Sequence, residues 1–92
     1  MARQIIIDFD PDPNDRPLGE FKVWLFGEAL HRLCKKDGWA SIPIEEVDKA
    51  TNQLRVTVFS ARRVRRVSTA INALLEKHFL ANRARLSEIA GP

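Results

Sequence analysis

Four arginines fall within five residues, at Arg62, Arg63, Arg65 and Arg66. Guanidinium groups at that density suit anions that accept paired hydrogen bonds, phosphates above all. The surrounding sequence reads as a short strand over residues 54–59 that turns at Ser60 into a long helix, which puts the arginines in the helix's first turn and a half. That is the positive end of the helix dipole, where an exposed cation is disfavoured by roughly 0.3–1 kcal/mol and Asp or Glu would be the stabilising choice. Such a pattern either tolerates a small surface cost on a solvated face or meets an anion. The spacing matches no recognised nucleic-acid motif: there is no paired aromatic signature of an RNA-binding sheet, no zinc-finger spacing and no Gly-rich phosphate loop.

The other residues with chemical potential carry less. Asp8, Asp10, Asp12, Asn14 and Asp15 offer hard oxygen ligands for Ca²⁺ or Mg²⁺. Counted from Asp10, however, the glycine position of a calcium-binding loop holds Asp15 and the bidentate Glu position holds Phe21, so a solvated acidic turn is expected instead. The run Ile5–Ile6–Ile7–Asp8–Phe9–Asp10 superficially resembles the strand-then-Asp-x-Asp start of haloacid-dehalogenase-type phosphotransferases, a family that needs a much longer α/β domain. His31 and Cys34 lie three apart on a helical pattern, but structural zinc takes four ligands and no second pair exists. Cys34 reads as a small core residue and His78 as part of an apolar stripe. Neither histidine has a nucleophile or an acidic orienter at motif spacing. No enzymatic activity, cofactor or metal is expected.

Ninety-two residues allow a single domain. At 45% hydrophobic residues the chain is too apolar to be disordered. One cysteine excludes an intrachain disulfide, and no apolar run approaches the roughly 20 residues of a membrane span. The opening MARQIIIDFD lacks a signal-peptide layout, so a cytoplasmic protein without membrane contact is expected. The net charge of +3 is modest, but it is unevenly spread. Residues 1–46 hold six Lys/Arg against nine Asp/Glu, whereas residues 47–92 hold nine against three.

The elements that must position these charges follow from periodicity. Ile5, Ile7 and Phe9 alternate as a first strand. The segment 11–17, with three prolines among Asp and Asn, is a loop. A helix is predicted over residues 18–36, with Val23, Phe26, Leu30, Leu33 and Cys34 inward, Lys35 and Lys36 in its last turn, and Gly38 as its left-handed stop. Phe21, Trp24 and Leu25 fall on the opposite side, either packed under the Pro-rich loop or exposed as a partner surface. Residues 39–47 read as a second strand interrupted by Pro43, and Leu54, Val56 and Val58 alternate on a third, antiparallel to it across a short polar connection. Ser60 is the expected N-cap of the last helix. Val64, Val67, Ile71, Leu74, Leu75 and His78 then mark its inward stripe, and the helix is expected to run on to about Ser87. Residues 81–92 are thus a partly frayed helical tail of a single domain spanning 1–92.

The predicted class is α+β with order β-α-β-β-α: a three-stranded antiparallel sheet, strand order 1-3-2, with two helices on one face. The architecture resembles a ferredoxin-type plait lacking its last strand. Strand order gathers Asp8, Asp10, Asp12, Asp15, Glu45, Glu46 and Asp48 at one end. It gathers Arg3, Lys35, Lys36, Arg62, Arg63, Arg65 and Arg66 at the other. The expected function is a small non-enzymatic binding domain that contacts an anionic macromolecule, nucleic acid or an acidic protein, through the Arg-rich helix start with Lys35 and Lys36. The alternative is a protein-interaction or homodimerisation module using edge strand 1 or the Phe21/Trp24/Leu25 surface.

Overall fold

A computed structural model describes residues 2–9, 20–49 and 52–90. Its elements are β1 (Arg3–Phe9), α1 (Glu20–Asp37), β2 (Ala40–Ser41), α2 (Ile44–Lys49), β3 (Gln53–Val58), a 3-10 turn (Ala61–Arg63) leading into α3 (Val64–Lys77), a second 3-10 turn (Ala81–Arg83) and β4 (Ala84–Ala90). The sheet has four strands in the order β2-β3-β1-β4, with every neighbouring pair antiparallel. The α+β class and the 1-3-2 core of the sheet are as expected. The count of three strands is not: β4 pairs along the whole of β1, from Arg3 opposite Ala90 to Phe9 opposite Ala84, and supplies the strand the predicted plait lacked. β1 is therefore internal, so it offers no free edge for a second copy. The Pro-rich segment and Asp10, Asp12, Asn14 and Asp15 lie outside the described residues.

One face of the sheet makes the core. Ile5, Ile7 and Phe9 from β1 and Leu54, Val56 and Val58 from β3 are buried, as period two requires. They pack beneath Val23, Phe26, Leu30 and Cys34 of α1 and Val67, Ile71 and Leu75 of α3. Phe26 anchors the join, meeting Phe9 edge-on at 5.6 Å and His78 edge-on at 5.9 Å. Gly38 ends α1 as predicted, with φ at 72° and its N–H donating to the Cys34 carbonyl at 2.9 Å.

Two predicted elements are corrected. The second strand is only Ala40–Ser41, because Pro43 has no N–H for the ladder and its carbonyl instead accepts from the N–H groups of Glu46 and Val47, opening α2. Glu45 and Glu46 then sit in the first turn, where the dipole favours them. The short helix fits because Gly27 lets α1 approach: a Cβ there would lie 2.7 Å from Val47 Cγ1. The last helix stops at Lys77, ten residues before Ser87. Phe79 adopts φ 59°, its N–H donates to the Glu76 carbonyl at 3.1 Å, and the Leu80 N–H donates to the Leu75 carbonyl at 2.7 Å. This is a Schellman stop with phenylalanine where glycine is usual. Leu80 is buried, and the chain turns into β4. No helix among the described residues is long and apolar enough to cross a membrane.

Candidate anion-binding pole

The strand directions bring the end of α1, the start of β2, the end of β3 and the start of α3 to one end of the sheet. Trp39 links them. It follows Gly38, its carbonyl accepts the Phe59 N–H at 3.1 Å, and its half-buried indole packs on the core. On the other side of the chain, Ser60 leads into the 3-10 turn. Ser60 precedes only the 3-10 turn and makes no side-chain capping bond, and the N-cap of α3 is Arg63, so the expected capping of the last helix by Ser60 is not seen. The Arg63 guanidinium carbon lies 4.6 Å from the centroid of the Trp39 ring and that of Arg66 lies 5.6 Å away. Both distances are within cation–π range.

The arginines are otherwise uncompensated. No acidic residue stands in the first turn of either the 3-10 segment or α3. Among the described residues none of Arg62, Arg63, Arg65 and Arg66 has a carboxylate partner, and all four are exposed. Arg62, Arg65 and Arg66 line a shallow groove of about 520 Å³ together with Trp39, Thr69, Ala70 and Ala73. Arg62, Arg63 and Arg66 line a second depression with Ser60. Thr69, also along the first groove, donates its hydroxyl to the Arg65 carbonyl at 2.9 Å, and the groove's lining is largely apolar.

The remaining basic residues divide. Lys35 and Lys36 are exposed in the last turn of α1 at this same end, beside Asp37, but line neither groove. Arg3 is spoken for. Its Nε donates to Glu88 Oε1 at 2.8 Å, a pairing that exists only because β4 lies beside β1. At the opposite end, Asp8 accepts from Gln53 Nε2 at 2.7 Å, and α2 carries Glu45, Glu46 and Asp48.

The other candidate surface is Phe21, Trp24 and Leu25. Phe21 is 70% exposed and stacks on Trp24 at 6.3 Å, while the Trp24 indole N–H donates to Asp48 at 3.1 Å. The His31 Nδ1 lies 2.8 Å from the Ile42 carbonyl, and Cys34 is buried. Desolvation, helped by the Asp37 carboxylate, pushes the Cys34 thiol up to about 11, so it is inert near neutrality.

The residue that sequence reading missed is Trp39. An aromatic directly after the helix-stopping Gly38 was the available signal, but its closeness to Arg63 and Arg66 depends on β2 pairing with β3, Ala40 opposite Val58. No protein-family model matches the chain, and no curated protein matches it in sequence.

Proposed function

We propose that this chain is a non-enzymatic binding domain whose pole of Arg62, Arg63, Arg65 and Arg66, with Lys35 and Lys36 beside it, takes an anionic macromolecule, nucleic acid foremost. The observation that supports this is the set of four exposed arginines at one end of the sheet, two of them over the Trp39 ring, without a carboxylate partner among the described residues. Mutual repulsion and the helix dipole both oppose that arrangement, and a bound phosphate backbone relieves both. The contacts are to phosphate and so set position rather than base sequence.

Fluorescence anisotropy with labelled 20-mer oligonucleotides tests the reading. If the four arginines each neutralise one phosphate, affinity falls roughly 50- to 150-fold between 50 and 200 mM salt, from slopes of about −0.7 to −0.9 per contact. The double variant Arg62→Glu/Arg65→Glu abolishes binding without unfolding the domain. Absence of binding at 50 mM salt, or affinity indifferent to that variant, sinks the proposal.

A second reading rests on Phe21, Trp24 and Leu25, whose exposures of 70%, 38% and 41% on one helix form an apolar patch fit for a protein partner or a second copy. Light scattering over a dilution series, repeated with Phe21→Ser/Leu25→Ser, tests the homodimer form. A monomer at every concentration refutes it.

A further inference from the structure

We infer, building on the nucleic-acid reading above, that the partner is single-stranded and that a base stacks at the Trp39–Arg63 pair. Uncompensated charge alone would attract duplex and single strand alike. What tips the choice is the chemistry of the groove. An electrostatic track for phosphates needs only cations, yet here Arg62, Arg65 and Arg66 share a largely apolar groove with an indole and the methyl groups of Ala70 and Ala73. In a duplex the flat faces of the bases are stacked on one another, so an indole and methyl groups beside the cations gain nothing from it. A single strand can turn its bases outward and place one against an aromatic ring or an arginine plane.

The platform is also held in place. The Trp39 ring packs on the core beside Leu33, Cys34 and Ala70 over a small cavity of about 20 Å³, and its backbone is fixed to β3 through Phe59. The Arg63 guanidinium lies over the ring at 4.6 Å and the residue is exposed, which suits a base stacking on the pair. Arg66 at 5.6 Å shares the same ring, with no carboxylate partner for either cation among the described residues. Arg62 and Arg65, which line the groove with Trp39, then meet the phosphates on either side of the stacked base. The occupant these features fit is flat and aromatic at its centre and anionic at its flanks.

The experiment uses a Trp24→Phe background, in which Trp39 is the sole tryptophan of the chain. The protein is titrated with oligo(dT), with oligo(U) and with a duplex of equal length at 50 mM salt, and Trp39 emission is followed. Expected are quenching by both single strands and affinity at least tenfold above that for the duplex. Stacking on an aromatic is worth about 5- to 150-fold per base, so Trp39→Leu loses that factor for single strands and leaves duplex affinity unchanged. Because Trp39 is half-buried, a second variant, Arg63→Lys, keeps the charge and removes the planar group. It weakens single-strand binding while the salt slope stays the same. Duplex binding as tight as single-strand binding, without quenching, overturns the stacking inference and leaves the arginine pole standing. So does binding of polyglutamate at equal affinity. Failure of every polyanion to bind overturns both.

Discussion

Replacing Phe79 with glycine should make this protein more stable. Phe79 closes α3 in the left-handed region, at φ 59°, where a side chain crowds the following carbonyl at a cost of roughly 1–2 kcal/mol. Nothing visible offsets it, since the ring is 92% exposed and its removal forfeits little burial. Glycine releases the strain but gives the unfolded chain extra freedom worth roughly 0.4–1 kcal/mol. The difference is a stabilisation of about 0.5–1 kcal/mol, which in a domain of this size raises Tm by roughly 2–8 °C. The hydrogen bonds of the stop, from Phe79 to Glu76 and from Leu80 to Leu75, use backbone atoms only and survive the change. Phe79→Ala separates the two contributions, for it removes the ring and keeps the Cβ. It should lie within about 0.5 kcal/mol of the parent. Urea and thermal unfolding of the three proteins decide the matter. A lower Tm for Phe79→Gly, or a loss of more than about 1 kcal/mol for Phe79→Ala, would show that the ring stabilises the fold through contacts and would refute the reasoning.

Gly27→Ala should cost about 1–2 kcal/mol in urea unfolding. Its new methyl meets the stiff, buried Val47 at 2.7 Å, which outweighs the helix-propensity gain of roughly 1 kcal/mol, and Val47→Ala in the same chain should recover part of the loss. Stability should fall as pH rises from about 9 to about 11. The Cys34 pKa is raised on folding, so the buried thiol's contribution is complete below the unfolded pKa and lost through the folded one; Cys34→Ala should flatten that part of the profile relative to the parent. Arg62→Glu and Arg65→Glu should each raise stability by roughly 0.3–1 kcal/mol at low salt, an effect that fades in high salt. Glu88→Gln should cost no more than about 1 kcal/mol, because its ion pair with Arg3 is exposed, and double-mutant cycles with Arg3→Gln should give a coupling of that size.

What the sequence disclosed of the fold, and what it hid, divides along signal strength. The alternation of Ile5, Ile7 and Phe9, that of Leu54, Val56 and Val58, and the stripe from Val67 to Leu75 are long periodic patterns, and all of them face the core. α2 was hidden because its six residues are too few for a helical period, though Pro43 followed by Glu45 and Glu46 marked its start. β4 was hidden for two reasons. The stop before it carries Phe79 where a glycine would have announced a break. The strand itself, at the edge of the sheet, buries so little that Ala84 and Leu86 are only half-covered and Glu88 stands on the inner face. An edge strand of that kind has no clean alternation to read. The same omission touched the candidate site, since Arg3 looked like a member of the basic pole until β4 brought Glu88 to it. Trp39 was visible as a residue but not as a neighbour, because its partners come from 24 and 27 positions further along the chain.

The four arginines are not equivalent once Trp39 is in view. At the positive end of a helix each exposed cation is opposed by roughly 0.3–1 kcal/mol. A cation–π contact at an exposed site returns roughly 0.5–1 kcal/mol, so Arg63 and Arg66, lying over the indole, come close to breaking even within the fold. Their presence is explained by packing whether or not anything binds. Arg62 and Arg65 receive no such return: among the described residues neither makes a cation–π contact or pairs with a carboxylate. A helix that only needed a solvated face could carry Glu at both positions and be more stable for it. The case for a binding function therefore rests on Arg62 and Arg65, and the case for what is bound rests on Arg63 and Trp39. The first pair supplies charge that the fold opposes, and the second supplies a flat surface that charge alone does not require.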